Sequence, residues 1–514
     1  MKTRHFIIMA AALALTASCY EDLSTEADNP IPDIDFSSEV KDTVLISFGD
    51  SLVIRNLVTQ DGRSDSDFEY LWEMDLQAGK SSDRVEVGTD RDLQYLVKNK
   101  PDLNPYNLSL TVTDRQSGYS IIRRWVVYVS SSLGEGLVVG HTRDGGVTSE
   151  LDLICSPAVT YGYTSEAHIT RNLFNLGNGT PIEGNVNAIC SFSASESALY
   201  SMNYMMVGTD SHMYGLDPST FTVDKKDAEF ITMSAPESFK TTLLFSFDGY
   251  QFVAVTGGRP FGCNTNMEWQ MNPVPGQFSK YDAYAPRRVA YGKIRQAQIA
   301  LFDDEQKAFY ATEGWMHTSS GMSKVTDISS LKFTLSTARC LGAGGGKNNI
   351  MYFVMRDAEG KTWLVTVDAG QTLVTPTSLE LTGTGVSDAE LFAFVDSGSI
   401  FYYVADGKVY YNIISATKVT TRATTWAPES EDEVVTGIEP YYQSWYGTHN
   451  YDMSDYGFVL STNRMQMIIT TYNEKTGEGK VYLQGFTPST GRFSQSNGIY
   501  GGFGRITATG ASLR

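Results

Sequence analysis

Strand-sized apolar runs that come in pairs, hinged on acidic or glycine turns, fill most of this 514-residue chain and constrain its fold more than any other feature. Leu137 to His141 and Val147 to Ile154 flank Asp144-Gly145-Gly146, and the same arrangement turns again at Asp210-Ser211, Asp248-Gly249, Asp303 to Gln306, Asp357 to Gly360, Asp396 to Gly398, Asp406-Gly407 and Asn463. The runs between the turns, such as "IMYFVM" with "TWLVTV" and "LFAFV" with "IFYYVA" and "VYYNII", are rich in aromatic and β-branched residues, which favour strands. No long amphipathic helical period interrupts them. Sheets this aromatic bury both faces only by stacking one on the next around an axis, which also leaves few exposed edges. The length beyond Gly136 divides into seven units of about 54 residues, the size of a four-stranded blade with its loops. The expected fold is therefore all-β, with an irregular β-propeller of about seven blades over residues 132–514. Its last strand region, Gly501 to Ala508, is expected to pair into the blade begun near Gly136.

Residues 39–131 read differently. Short strands over Thr43 to Phe48, Ser51 to Val58, Phe68 to Met74 and Leu93 to Lys98 precede a clean alternation from Tyr106 to Thr113 and a further strand from Tyr119 to Val129. Roughly seven strands in under 100 residues, one bearing Trp72, predict an immunoglobulin-like sandwich. "SSSLGEG" at Ser130 to Gly136 marks the boundary. The acidic loop of Asp61, Asp65 and Asp67 lacks the spacing of a calcium loop and reads as a solvated turn.

The first 18 residues form a processing signal: Lys2 and Arg4 precede an apolar run from Phe6 to Leu15, too short to span a bilayer, and small residues lead into Cys19. Residues 19–38 are polar and proline-bearing and read as a tether. A net charge of −19 with dispersed acids excludes a nucleic-acid partner and a polybasic membrane contact. Beyond Cys19, the cysteines Cys155, Cys190, Cys263 and Cys340 show no metal-ligand spacing and are left open between thiols and disulfides. No motif calls for a metal or a cofactor.

Several stretches carry resemblances. A cysteine after small residues resembles a lipobox, which implies cleavage before Cys19 and its lipidation. Glu21 and Asp22 look like the export signal that sends Bacteroidota lipoproteins to the outer face of the outer membrane. "YNLSLTVTDRQSG" resembles the penultimate strand and turn of a polycystic-kidney-disease (PKD) repeat, and "YLWEMD" its central tryptophan strand, although the aspartate-glycine pair that usually follows is missing. "GKTW" at Gly360 to Trp363 is similar to the end of an Asp-box turn, and a tryptophan packed in a blade core explains it as well. Together the anchor, sandwich and propeller resemble the PKD-like family of Bacteroidota surface lipoproteins. That resemblance implies an accessory protein encoded beside a starch-utilisation-system-like barrel transporter and its lid lipoprotein, facing the cell exterior.

Candidate ligand residues lie in aromatic insertions, because flat rings beside polar groups suit the faces and hydroxyls of a sugar or the amides of a peptide. Phe261 to Lys293 holds Trp269, Tyr284 and Arg287; a smaller cluster holds Trp315 and His317; Tyr441 to Tyr456 holds Tyr442, Trp445 and Tyr446. His168 and His449 read as loop residues. Glycoside cleavage needs two facing carboxylates at a set separation, and no acidic pair is privileged here. The sequence therefore points to a non-enzymatic binding or scaffolding protein of a glycan or peptide uptake system. A surface hydrolase or lyase acting on polysaccharide, and a structural brace of a transporter, are the competing readings.

Overall fold

The computed structural model describes residues 33–102, 104–131, 133–197, 200–231, 235–247, 251–264, 271–273, 281–285, 300–312, 322–346, 350–368, 375–443 and 460–512. Residues 1–32, which include Cys19, Glu21 and Asp22, lie outside them. The chain divides into two compact units at Ser130 and Ser131. Among the described residues no helix is long and apolar enough to cross a membrane.

The first unit is a β-sandwich. Its five-stranded sheet runs in the order Thr43–Ser47, Ser120–Ser130, Tyr106–Asp114, Phe68–Gln77 and Lys80–Gly88, with the first pair parallel. Two shorter pairs, Asp35–Ser38 with Asn56–Thr59 and Ser51–Ile54 with Leu93–Leu96, complete it. Asp35–Ser38 falls inside the stretch read as tether, so the sandwich begins earlier than its alternation suggests. Period-two alternation places Leu108, Leu110 and Val112 on the buried face with Trp72. Trp72 stacks on Trp125 at 5.1 Å and donates its indole N–H to Asp90 O at 2.8 Å. In the PKD-like turn, Asp114 is fully buried and accepts from Ser117 Oγ at 2.6 Å, Gln116 N at 3.0 Å and Arg63 at 3.2 Å. The Ser117 hydroxyl and Gln116 amide hold its carboxyl below the usual range. The acidic loop is a turn: Asp65 accepts from the Tyr70 hydroxyl and Asp67 from the Ser64 amide.

The second unit is a propeller with seven blades among the described residues. From the axis outward they are built as follows. Blade I is Arg505–Ser512, Gly136–Thr142, Thr148–Cys155 and His168–Thr170. Blade II is Val186–Ser197, Tyr200–Thr209, Met213–Leu216 and Val223–Lys226; blade III is Thr241–Phe247, Gln251–Thr256, Arg259–Asn264 and Asn272–Pro273. Blade IV is Tyr281–Ala285, Ala300–Asp303, Ala308–Thr312 and Met322–Lys324; blade V is Arg339–Gly345, Ile350–Arg356, Thr362–Asp368 and Thr377–Leu381. Blade VI is Leu391–Val395, Ile400–Ala405, Lys408–Ile414 and Val419–Ala423; blade VII is Glu433–Pro440, Gln466–Asn473, Glu478–Phe486 and Phe493–Phe503.

Successive blades cover both faces of each sheet, which is why the second strands read as continuous apolar runs rather than alternating ones. In "IMYFVM", Phe353 packs on Phe309 of blade IV at 5.0 Å while its neighbour Tyr352 stacks on Phe394 of blade VI at 6.0 Å. The turn at "GKTW" clamps its tryptophan: Asp357 accepts the Trp363 indole N–H at 2.7 Å and the Lys361 amide at 2.8 Å. Cys155, Cys190 and Cys340, in three different blades, are thiols.

The ring closes through the end of the chain. Arg505–Ser512 pairs antiparallel with Gly136–Thr142, with Gly136 opposite Ser512 and a bulge at Gly140/His141. Closure thus begins slightly later than the sequence implies, because Gly501–Phe503 still belong to blade VII. A polar cluster clasps this seam. His141 accepts from the Gly504 amide at Nδ1 (3.2 Å), which leaves Nε2–H to donate to Asp152 at 3.1 Å. Arg171 donates to Asp152 at 2.7 Å and to Gly501 O at 2.7 Å, and its guanidinium lies 4.5 Å from the Phe503 ring. Burial pushes the Asp152 carboxyl up, but the bonds from His141, Asn172 and Arg171 outweigh it and hold it low. Glu150, opposite His141 in the strand register, has no charged donor among the causes of its shift; burial pushes it up to about 7 against the amides of Asn175, at 3.3 Å, and Leu151.

Candidate functional site

The inner strands of a propeller run the same way along the axis, with one edge of each facing the channel, so the lining mixes side chains with backbone groups. Two adjoining cavities occupy this axis. One, of ≈ 310 Å³, lies toward the ends where the inner strands begin; the other, of ≈ 250 Å³, lies toward the ends where they finish. Leu243, Phe392, Ile438 and Glu439 line both, so they are two halves of one channel.

Blade V makes room for the second half. Its inner strand, "RCLGAGG", turns Ala343 and Gly345 to the cavity, while Gly342 and Gly344 let Phe392 and Phe394 approach from blade VI. A Cβ on Gly344 would lie 2.4 Å from Phe394 Cδ2.

Tyr442 is a wall residue of this half, just past the inner strand of blade VII. Its neighbours fix it. Tyr441 is buried and donates its hydroxyl to Val159 O at 2.9 Å, and burial pushes that phenol far up. Gln443 accepts the Leu460 amide at 2.6 Å and donates to the Glu135 carboxylate. Asp396 also lines this half, at 2% exposure and 3.8 Å from Arg464 Nη2. Glu439, half-buried where the halves meet, accepts the Thr509 hydroxyl.

The described lining of both halves holds three carboxylates, Glu390, Asp396 and Glu439, and no histidine, cysteine, serine, lysine or arginine. Aromatic rings with neutral and acidic acceptors suit the hydroxyls or amides of a ligand. Among the described residues no cluster of three or more histidine, cysteine or acidic side chains could hold a metal ion.

Of the residues singled out from sequence, Tyr442 is the one whose side chain the structure places at the channel. Tyr284 lies on the inner strand of blade IV. Trp269, Arg287, Trp315, His317, Trp445 and Tyr446 lie outside the described residues, as does His449. His168 is an exposed residue 2.6 Å from the Tyr163 hydroxyl. Sequence reasoning passed over Asp396, Glu439 and the glycines of blade V; the run "LGAGGG" in an otherwise bulky chain was the one available signal.

Sequence comparison with characterised proteins finds no match. Among solved structures the chain is similar to a Quinonprotein alcohol dehydrogenase-like protein from Bacteroides thetaiotaomicron (12% identity, TM-score 0.48, covering 92% of this chain and 96% of that one). It is also similar to AztD from Citrobacter koseri (11%, TM-score 0.38, 86% and 98%) and to the periplasmic gluconolactonase of Pseudomonas aeruginosa (8%, TM-score 0.41, 74% and 99%). Residues 19–185, which take in the sandwich and the outer three strands of blade I, match the model of the PKD-like family, and the N-terminal domain is PKD-like.

Proposed function

We propose that this protein is a lipid-anchored component of the outer-membrane surface that holds a glycan or peptide ligand for an uptake system, and that it binds without transforming. Cys19 behind a processing signal, with Glu21 and Asp22 after it, supports the anchor and its outward export. The PKD-like match supports the likeness to Bacteroidota surface lipoproteins, and through it a starch-utilisation-system-like barrel and lid as partners. The observation that carries the binding reading is the channel mouth: Tyr442, fixed between two anchored neighbours, on a wall of aromatic and carboxylate groups.

The hydrolase reading draws on Asp396 and Glu439 lining one cavity. Against it, Asp396 sits buried beside Arg464, and Glu439 is engaged by Thr509. Calorimetric titration of the full chain with oligosaccharide and peptide panels should find a ligand whose affinity drops about tenfold or more in Tyr442→Ala, the loss expected when one aromatic platform is removed. Gentle detergent extraction of the lipidated protein should bring a barrel transporter with it. Turnover of any panel member, abolished in Glu439→Gln, would replace binding with catalysis.

A further inference from the structure

The half of the channel where the inner strands begin is built differently from the half at Tyr442. Hydroxyl and amide side chains reach it from four blades: Asn187 from blade II, Thr242 from blade III, Thr436 and Thr470 from blade VII, and Thr507 and Thr509 from blade I. Five of these six are threonines, whose methyl groups continue the apolar surface between the hydroxyls. Thr509 spends its hydroxyl on Glu439 and Thr507 on Gly140 O at 3.4 Å, which leaves the pair from blade VII to be accounted for.

Thr470 is the telling residue. It belongs to the second strand of blade VII, which an inner strand would ordinarily screen from the axis. Here the inner strand carries a bulge between Val435 and Gly437, and Gly437 lies opposite Thr470. A Cβ at Gly437 would stand 2.7 Å from Thr470 Oγ1, so any larger residue would crowd this hydroxyl where the glycine leaves it open to the cavity. Thr470 Oγ1 then lies 2.9 Å from Thr436 Oγ1, which sets two hydroxyls side by side on the wall. Each keeps acceptor capacity beyond that shared bond, because a hydroxyl has one hydrogen and two lone pairs.

The geometry points to a second binding site in this half of the channel, for a single neutral hydroxylated ring such as one hexose or pentose unit. The class follows from three features. The paired hydroxyls of Thr436 and Thr470 match vicinal ligand hydroxyls. Leu243, Leu391 and Phe392, half-buried in the lining, supply apolar surface for a ring face. The carboxylates Glu390 and Glu439, with no basic side chain in the described lining, accept from hydroxyls and repel an anion. At ≈ 310 Å³ this half of the channel lies at the lower end of ligand pockets, which span about 300–1,000 Å³, room for one ring. The site rests on reading the ring as a ligand-binding domain, and gives that reading a sugar rather than a peptide.

The test is calorimetric titration of the full chain with neutral monosaccharides, their uronic acids and short oligosaccharides. Wild type is compared with Thr470→Val, Thr436→Val, Gly437→Ala and Tyr442→Ala, and melting temperatures check that each variant folds. A neutral monosaccharide should bind and its uronic acid should not. Affinity should fall about tenfold in each Thr→Val variant, the size of one or two neutral hydrogen bonds, and remain in Tyr442→Ala. Monosaccharide binding that is indifferent to both Thr→Val changes overturns the site. Oligosaccharide binding lost in Tyr442→Ala alone, with no monosaccharide bound, also overturns it and leaves the Tyr442 mouth standing. If neither monomers nor oligomers bind, both this site and a sugar ligand at the mouth fall.

Discussion

Glu150→Gln should stabilise the propeller at alkaline pH and leave it unchanged in acid. The carboxyl is half-buried on the second layer of the ring-closing seam, with His141 across the strand pair, Asp152 two residues along and the Asn175 amide as its donor. Burial raises it from an ordinary value of 4.5 to about 7. A carboxyl raised on folding favours the fold while protonated. That contribution is fully present below about 4.5 and disappears as pH climbs through about 7. The whole shift would correspond to roughly 3 kcal/mol at 1.36 kcal/mol per unit, and solvent screening of a half-exposed group reduces this to roughly 1–2 kcal/mol. Glutamine keeps the carbonyl acceptor for Asn175 and removes the charge. Hydrogen exchange read by mass spectrometry on peptides covering Gly136–Cys155 isolates the ring from the sandwich, whose Trp72 and Trp125 would blur a fluorescence transition. Protection in the variant should match wild type near pH 4 and exceed it by five- to thirtyfold at pH 8. Equal protection at both pH values would refute the assignment of a pH-sensitive burden to Glu150.

Two further changes probe the ring. Gly344→Ala drives a Cβ to 2.4 Å from Phe394 and should lower stability by about 1–3 kcal/mol, seen as a reduced melting temperature, because the ring lies between two packed blades. Glu433, at 7% exposure, accepts from Tyr482 at 2.6 Å, Thr471 at 2.7 Å and Lys480 at 2.9 Å; Glu433→Ala should cost about 2–3 kcal/mol in urea unfolding, because it leaves two hydroxyls without their acceptor while Lys480 keeps Glu429 at 2.9 Å, and Glu433→Gln should cost less.

The architecture was legible because each blade repeats the same two instructions, a strand that must be covered on both sides and a tight acidic turn. Asp144, Asp357 and Asp406 all sit in turns where the sequence puts them. Lys80–Gly88 escaped notice because it is an edge strand with almost no buried residue, so it carries no apolar alternation to read. Asp35–Ser38 is too short and too polar to announce itself. The channel was harder still. Asp396 meets Arg464 from another blade, and Thr470 reaches the axis only through a bulge in its neighbour, facts of register between strands that periodicity within one strand does not encode. The histidine that matters to closure, His141, sits inside a strand and looks like any core residue until Gly504 is brought to it.

Because Arg505–Ser512 is the innermost strand of blade I and runs parallel to the other inner strands, Ser512 finishes at the end of the ring that carries Tyr442. Anything fused after it emerges at the Tyr442 end of the channel. A purification handle or fluorescent label placed there would crowd the channel end that carries Tyr442, whereas the exposed hairpin tip near Val147, at the opposite end, offers an attachment point that leaves Tyr442 clear.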